Sequence, residues 1–587
     1  MKWNLTTLFK TEEDFQQAFE EVSSYIPRLA AFKGKLHEEK EFVEYLLLND
    51  ELEVLGGRVY QYCSLRSDLN KKNVENLAAL SKVYNLFNQL GIATSFDSPE
   101  MLSVGKDTIM GFIDRHPEIE AHRFSMEKLF RNQDHVLDNA SEKLLSYYST
   151  SSRVGSSLYS ALANGDKESV DVKLKDKSVI KVNTANFTMY LETLKDASDR
   201  KKVFEAVYKH FESHKNTFAG IYEAVLNSGK SYTKARNYES ILESHLYRNN
   251  IPTSVYHNLV NVASKQNKSL KKYLKLRKKY LGLKQYHTYD RFLNLASSDV
   301  TYTYDEAKDI FFKSIAHLPE DFVEYAHEAI KDGYVDVYPQ DGKRTGAYSS
   351  GVTDTHPFIL LNFTNGLDDV FTLAHEAGHS IHTLYAMNNQ EGENQNYTIF
   401  VAEIASTFNE HNLLDYFIKS GDASKEVKIQ LIQKAIDSII GTFYRQTLFA
   451  HYELLAHEAV EKDQPINYQV LSNIMIDLYK QYYGLDITKE GLKQYVWAYI
   501  PHLFNSPFYV YQYATSFAAS FKLYQDVKNN VPGAFERYTG LLKSGGSKYP
   551  IDQAKEAGVD FTKKETFMAV INRMDELVSE LEKLLEE

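Results

Sequence analysis

Cysteine is nearly absent from this 587-residue chain. Cys63 is the only one, so no disulfide can form within the chain and a cysteine-rich zinc site is excluded. Any metal must be held by histidine and carboxylate. No run of apolar residues is long enough to cross a bilayer. The opening MKWNLTTLFKTEEDF lacks the uninterrupted apolar stretch of a secretory signal, and the expected location is the cytoplasm, with no membrane partner. Net positive charge is missing as well: the formal charge is −12, which argues against nucleic acid, since phosphate binding needs a basic surface. The basic stretches Lys271, Lys272 and Lys275, and Arg277 to Lys279, read as the solvated face of a helix. The chain also lacks heptad runs, low-complexity tracts, internal repeats and any Pro/Gly/Ser-rich linker.

Helical signals run from end to end. EEDFQQAFEEVSSYIPRLAAF and NVENLAALSKVYNLFNQL space apolar residues by three and four. Thr303 to Glu306 fits a capping box, and Ser98 before Pro99 fits an N-cap followed by a proline at the first helical position. The last segment, MDELVSELEKLLEE, predicts a surface helix packed through Leu577, Leu581 and Leu584. Strand signals are few. VDVKLKDKSVIKV alternates and breaks at Asp176 and Lys177, which predicts a hairpin. YVDVYP, GAYSSG and FILLNF predict a small sheet just before residue 375. The fold class is therefore mostly α. A chain of this length exceeds what one core usually serves, so at least two lobes are expected. A soft boundary near residue 190 divides a helical N-terminal domain (1–190) from the rest (191–587). NSGKS at Asn227 lacks the upstream glycine and strand of a phosphate loop, and SGGSKYP at Ser544 reads as a loop before a helix.

HEAGHSIHTLYA, starting at His375, carries the chemistry. Asn365 and Gly366 form a turn, Asp368 and Asp369 suit the first turn of a helix, and Leu367, Phe371, Ala374, Gly378 and Ile381 keep helical spacing. On that helix His375 and His379 lie one turn apart on one flank, about 40° around the axis, so two imidazoles can converge on one ion. Glu376 is rotated about 100° from His375 and reaches a ligand of the metal more readily than the metal. Imidazole nitrogen suits zinc, a catalytic zinc keeps one position for water, and the third protein ligand is often a carboxylate. A carboxylate beside that water can accept its proton during attack on a carbonyl and return it to the leaving amine.

The third ligand has to come from elsewhere. A metzincin would need Gly at 382 and His at 385, where this chain has His382 and Tyr385. YTIFVAEIASTFNEHNLL offers a helix whose buried stripe, Ile399, Phe400, Ile404 and Phe408, is interrupted by Glu403. A lone carboxylate there is costly unless paired or bound to metal. Glu410, on the same face, is the rival, though a role orienting a ligand or plain exposure suits it better. His382 reads as such a supporting residue or as a packed core histidine.

HEAGHSIHTLYA followed by FVAEIASTFNEHNLL resembles the thimet oligopeptidase family, specifically its bacterial oligoendopeptidase F branch. GKRTGAYSSGVTDTHPFILLNFTNGLDDVFTLAHEAGHSIH, WAYIPHLFNSPFYVYQYATSFAAS and LLKSGGSKYPIDQAKEAGVDF match later landmarks of that branch in order. The resemblance implies a multi-helix, two-lobed metallopeptidase with a deep internal channel, one zinc ion, and cleavage of internal bonds in short peptides. By position it implies His375, His379 and Glu403 as zinc ligands and Glu376 as base. HLFNSPFYVYQYATS is then the second catalytic region. Donors there would stabilise the oxyanion, and a helix starting at Pro507 would put Tyr509 and Tyr513 on one face with Tyr511 elsewhere. The candidates are His502, Tyr509 and Tyr513, although the stretch departs from the glycine-rich loop of the thimet branch. GAYSSG offers a strand edge that would bind an extended substrate. Two rivals stand beside this reading: a related helical zinc carboxypeptidase, and a peptide-binding protein whose zinc is structural.

Overall fold

The computed structural model describes residues 2–587 except 139, 143, 146, 148–153, 297–299, 421 and 422, and residue 393 by its backbone alone. Most described residues are helical, as the sequence periodicity predicts, and the described strands are short. Contacts group the chain into two units, each built from three stretches. Unit 1 takes Met1–Asp134, Asp299–Lys419 and Leu523–Val559, and unit 2 takes His135–Ser298, Ser420–Lys522 and Asp560–Glu587. This grouping differs from the chain-order division at residue 190, because the N-terminal helices share a core with strands more than two hundred residues downstream.

The first stretch of unit 1 carries α1 (Glu12–Ala30), α2 (Glu39–Leu69) and α3 (Val74–Thr94). Helix α1 starts where the Thr11 hydroxyl accepts from the Asp14 N–H at 3.1 Å and Asp14 accepts from the Thr11 N–H at 3.0 Å. The helix at Asp97–Val104 begins one residue before the expected Ser98 cap, and the Asp97 side chain accepts the Ser98 N–H. In unit 2 the first stretch carries the predicted hairpin, β1 (Val170–Lys173) paired antiparallel with β2 (Val179–Val182), closed by Lys177 at φ 74°. It also carries α4 (Lys268–Tyr280). That helix turns its lysines outward as expected but buries Arg277 completely, where carbonyls of Asp290 and Arg291 accept from its guanidinium at 3.0 Å. The SGKS segment lies inside a helix, Lys215–Ala235.

Back in unit 1, the expected capping box holds: Glu306 accepts from the Thr303 N–H at 2.7 Å and returns its own N–H to the Thr303 hydroxyl at 3.3 Å. The small sheet follows, with β5 (Phe358–Leu360) central, β3 (Val335–Asp336) parallel to it and β4 (Tyr348–Ser350) antiparallel at an edge. Phe358 and Leu360 enter the core of α1 to α3, and the Trp3 indole donates to the Ile359 carbonyl at 2.8 Å. Two helices then carry the metal candidates, α5 (Leu367–Met387) and α6 (Ile399–Lys419). The next stretch of unit 2 holds α7 (Lys425–Ser438), a π-helical turn (Ile439–Tyr444), α8 (Arg445–Glu461) and α9 (Tyr468–Tyr483); α10 (Tyr511–Lys528) begins in it. The terminal helix α11 (Lys564–Glu586) buries Leu577 and Leu581, as predicted, with Leu584 half-buried. No described helix is long and apolar enough to cross a membrane.

Candidate metal centre and catalytic site

Helix α5 starts as its sequence predicts. Asn365 sits at φ 68°, and the Asp369 carboxylate accepts from the N–H groups of Gly366 and Thr364, each at 2.9 Å. Its apolar stripe is buried, which leaves His375 and His379 on the flank facing α6. The two helices meet at Gly378. A Cβ placed there would stand 2.5 Å from the Ala405 carbonyl oxygen and 2.6 Å from Ser406 Cα, so only a residue without a side chain permits the crossing. Asn409 ties the pair further by donating to the Ala374 carbonyl at 3.2 Å.

That crossing brings Glu403 to the two imidazoles. His375 Nε2 and His379 Nε2 stand 3.2 Å apart, and Glu403 Oε2 lies 3.4 Å from the first and 3.7 Å from the second. Ligand atoms at about 2.0–2.2 Å from one tetrahedral ion stand about 3.4 Å from each other. The triangle fits a zinc-sized cation, and it is the one such cluster found among the described residues. Ser406 steadies the third corner by donating its hydroxyl to Glu403 Oε2 at 3.0 Å.

Glu410 is placed behind His375, not in the triangle: its Oε1 meets Nδ1 at 2.5 Å. A carboxylate on the far nitrogen fixes the tautomer and turns Nε2 toward the triangle. The electrostatics agree. Burial pulls the His375 pKa down, but Glu410 outweighs it and holds the imidazole up at about 9, so the pocket favours positive charge. His379 is pushed down to about 4 by burial and then by charge on His375, so its lone pair stays available. Glu376 is 6% exposed and raised to about 7, first by burial; the His375 charge opposes the rise, and the other carboxylates add to it. The Ser349 N–H of β4 faces its carboxylate, and the Ser349 hydroxyl meets the Ser380 hydroxyl of α5 at 2.8 Å. Sequence spacing gave no sign of Ser349, which reaches the site only through sheet pairing. His382 is a packed core histidine, fully buried and stacked on Tyr397 at 3.6 Å.

The other three predicted residues form a cluster of their own in unit 2. His502 stacks on Tyr509 with centroids 5.9 Å apart, Tyr513 lies edge-on to His502 at 6.2 Å, and the two tyrosines are 5.5 Å apart. The helix expected from Pro507 begins instead at Tyr511. Phe508 takes the left-handed conformation, φ 55°, and its N–H donates to the buried Glu453 carboxylate at 2.7 Å, so a turn rather than a helix joins His502 to the tyrosines. Tyr511 points away, as expected, and packs against Tyr256. Burial lowers the His502 pKa. It raises Glu453 to about 8 and, largely by itself, pushes the neighbouring His245 and His457 down to about 4 and about 3.

The chain is similar to several known proteins. The model of Peptidase family M3 matches residues 190–573, and that of Oligopeptidase F matches residues 100–168. Oligopeptidase PepF of Bacillus subtilis (strain 168) is 36% identical over 588 aligned residues, covering 99% of this chain and 87% of that protein. A candidate peptidase from Chlamydophila abortus has a crystal structure similar at TM-score 0.92 and 31% identity, covering 99% of this chain and 98% of the other. Oligoendopeptidase-F from Enterococcus faecium is similar at TM-score 0.74 and 27% identity, covering 98% and 99%.

Proposed function

The chain belongs to peptidase family M3 and is a metalloendopeptidase, and from that premise we propose that it is zinc-dependent and hydrolyses internal bonds of short oligopeptides. His375, His379 and Glu403 would hold the ion, and their donor set would also accept cobalt or manganese. When bound, zinc supplies a Lewis acid that acidifies water and polarises the scissile carbonyl. The remaining work falls to this chain's own groups. Glu376 takes the proton of the attacking water on its carboxylate and delivers it to the leaving amine. The main-chain N–H of Ser349 faces that carboxylate and favours its charged form. Glu410 keeps one proton of His375 on Nδ1, which leaves Nε2 as the nitrogen that gives up its proton to bind the ion. His502, Tyr509 and Tyr513 serve as donors to the oxyanion.

The observation that carries this reading is the 3.2, 3.4 and 3.7 Å triangle of donor atoms with a buried carboxylate on the adjacent residue. A structural zinc site fits it poorly, since three protein ligands leave a coordination position open. The edge position of β4 suits a substrate backbone lying alongside it. Peptides N-methylated at successive amides should show a raised KM at particular positions; an unchanged KM throughout would dismiss that pairing. Cys63 is buried and unpaired, which suits a reducing compartment, and the reading includes the cytoplasm as location.

The test is mass spectrometry of a ten-residue peptide, with its C-terminus free and amidated, after incubation with and without a chelator. Internal cleavage of both forms, abolished by chelation and restored by zinc, is the expected outcome. Cleavage of the free acid alone would make the protein a carboxypeptidase. No cleavage by zinc-loaded protein would leave a peptide-binding protein.

A further inference from the structure

Unit 2 contains a cavity of about 340 Å³, within the range of small-molecule sites, and none of the residues assigned above lines it. Its walls come from α4, α7, α9, the π-helical turn and the segment around residue 291. Three cations meet there, Arg291, Arg445 and Lys493. Burial lowers the pKa of Arg291, and Arg445 lowers it further; Lys493 is pushed well below its ordinary value by burial and then by Arg291. The three are therefore close enough to repel one another.

The three side chains are half-buried, and cations gathered there call for a counter-charge; Glu490 supplies part of one to Lys493. The two carboxylates on the wall are occupied. Asp437 accepts from the Tyr273 hydroxyl at 2.8 Å and the Gln433 amide at 3.2 Å and lies 3.8 Å from Arg277, while Glu192 accepts from Asn294 at 3.0 Å. Among the described residues, neither Arg291 nor Arg445 has a carboxylate within ion-pair distance or donates a hydrogen bond from its guanidinium. Each lies against an aromatic face, Phe292 at 4.4 Å and Phe449 at 5.1 Å, and Arg291 acts on the Asp437 carboxylate from beyond ion-pair distance. Lys493 donates to the Tyr208 hydroxyl at 3.1 Å. Two guanidinium groups with all their donors unspent, beside an ammonium group, match the oxygens of a multivalent oxyanion. Tyr286, Tyr479 and Tyr483 on the same walls suit a carbon skeleton attached to it.

The π-helical turn points the same way. Such a turn widens a helix locally and is frequent at functional sites. Here it contributes Ile440 and Gly441 to the wall, and a Cβ at Gly441 would meet nothing within 4 Å, so that position opens on space.

We propose that this cavity is a binding site for a small molecule bearing a multivalent oxyanion, a phosphate or a dicarboxylate, held by Arg291, Arg445 and Lys493. The site does not depend on the peptidase chemistry and is tested without it. Thermal unfolding and titration calorimetry of the whole protein would be run with inorganic phosphate, with succinate, and with sodium chloride at matched ionic strength. Binding to wild type should raise the unfolding midpoint by about 1 °C once the anion is several-fold above its Kd, and further with the logarithm of its concentration, and chloride should not. The larger response, to phosphate or to succinate, identifies the class. Arg445→Gln should abolish the response by removing a donor, and Gly441→Leu should abolish it by filling the space while leaving all three charges. No shift and no heat with either anion would overturn the proposal, as would equal shifts in wild type and both variants.

Discussion

Gly378 of α5 lies against Ala405 of α6 so closely that a side-chain carbon on the first would stand 2.5 Å from the carbonyl oxygen of the second. The glycine of the HEAGH segment is thus a spacer that sets how near Glu403 comes to the histidines. Alanine there must push the helices apart. The expected cost is about 1–3 kcal/mol, as for other overpacked sites, together with substoichiometric zinc by elemental analysis. A Gly378→Ala protein with wild-type stability and full zinc content would show that the crossing is not held there.

Glu376 does not belong to the donor triangle. Glu376→Gln should keep one zinc per chain and lose turnover by at least the 10²–10⁴-fold typical of a removed general base. Wild-type turnover in that variant would refute its role.

Glu410 touches His375 on the side away from the triangle. Glu410→Gln should weaken zinc binding by about 10–100-fold, the usual effect of losing an orienting carboxylate, measured by competition with a chelator of known affinity. An unchanged affinity would return Glu410 to the status of a bystander.

Tyr509→Phe and Tyr513→Phe remove one hydroxyl each from the unit 2 cluster. A donor to the oxyanion acts in the transition state, so kcat should fall, by up to about 10²–10³-fold for the principal donor, while KM for the same peptide changes little. If both variants keep kcat, the tyrosines merely pack.

Glu453 supplies a pH dependence of stability. Its carboxyl titrates near 4.5 when unperturbed and at about 8 in the folded protein, because burial disfavours the charge. Between those values the folded chain keeps a proton that the unfolded chain has released. The stabilising contribution is full below about pH 4.5 and is lost as pH rises through about 8, at roughly 1.4 kcal/mol per unit. In the folded chain His245 and His457 stay neutral over this window, whereas in the unfolded chain they take up protons below about pH 6.5, so they add stability as pH rises from about 6 to 7 and offset Glu453 there. Urea unfolding at pH 7, 7.5 and 8 should show wild type losing stability while Glu453→Gln, uncharged throughout, stays flatter. Parallel slopes would remove Glu453 as the cause.

Much of this was legible in the residues alone. Helical periodicity, the hairpin at Lys177, the Thr303 cap and the two histidines one turn apart are local properties, set by spacing and by which side chains can satisfy nearby amides. Glu403 was legible because a carboxylate in an apolar stripe requires a partner. What the tertiary structure alone decided is which distant groups share a site. The rank of Glu403 over Glu410 depends on where α6 crosses α5, and Ser349 reaches Glu376 only because β4 takes the edge of its sheet. The turn that replaces the expected helix at Pro507 depends on a buried carboxylate more than fifty residues earlier accepting the Phe508 N–H. Arg291, Arg445 and Lys493 lie far apart in sequence and signalled nothing there. Their meeting is a matter of packing, since only the folded chain brings together the segments that carry them, against the mutual repulsion of three like charges.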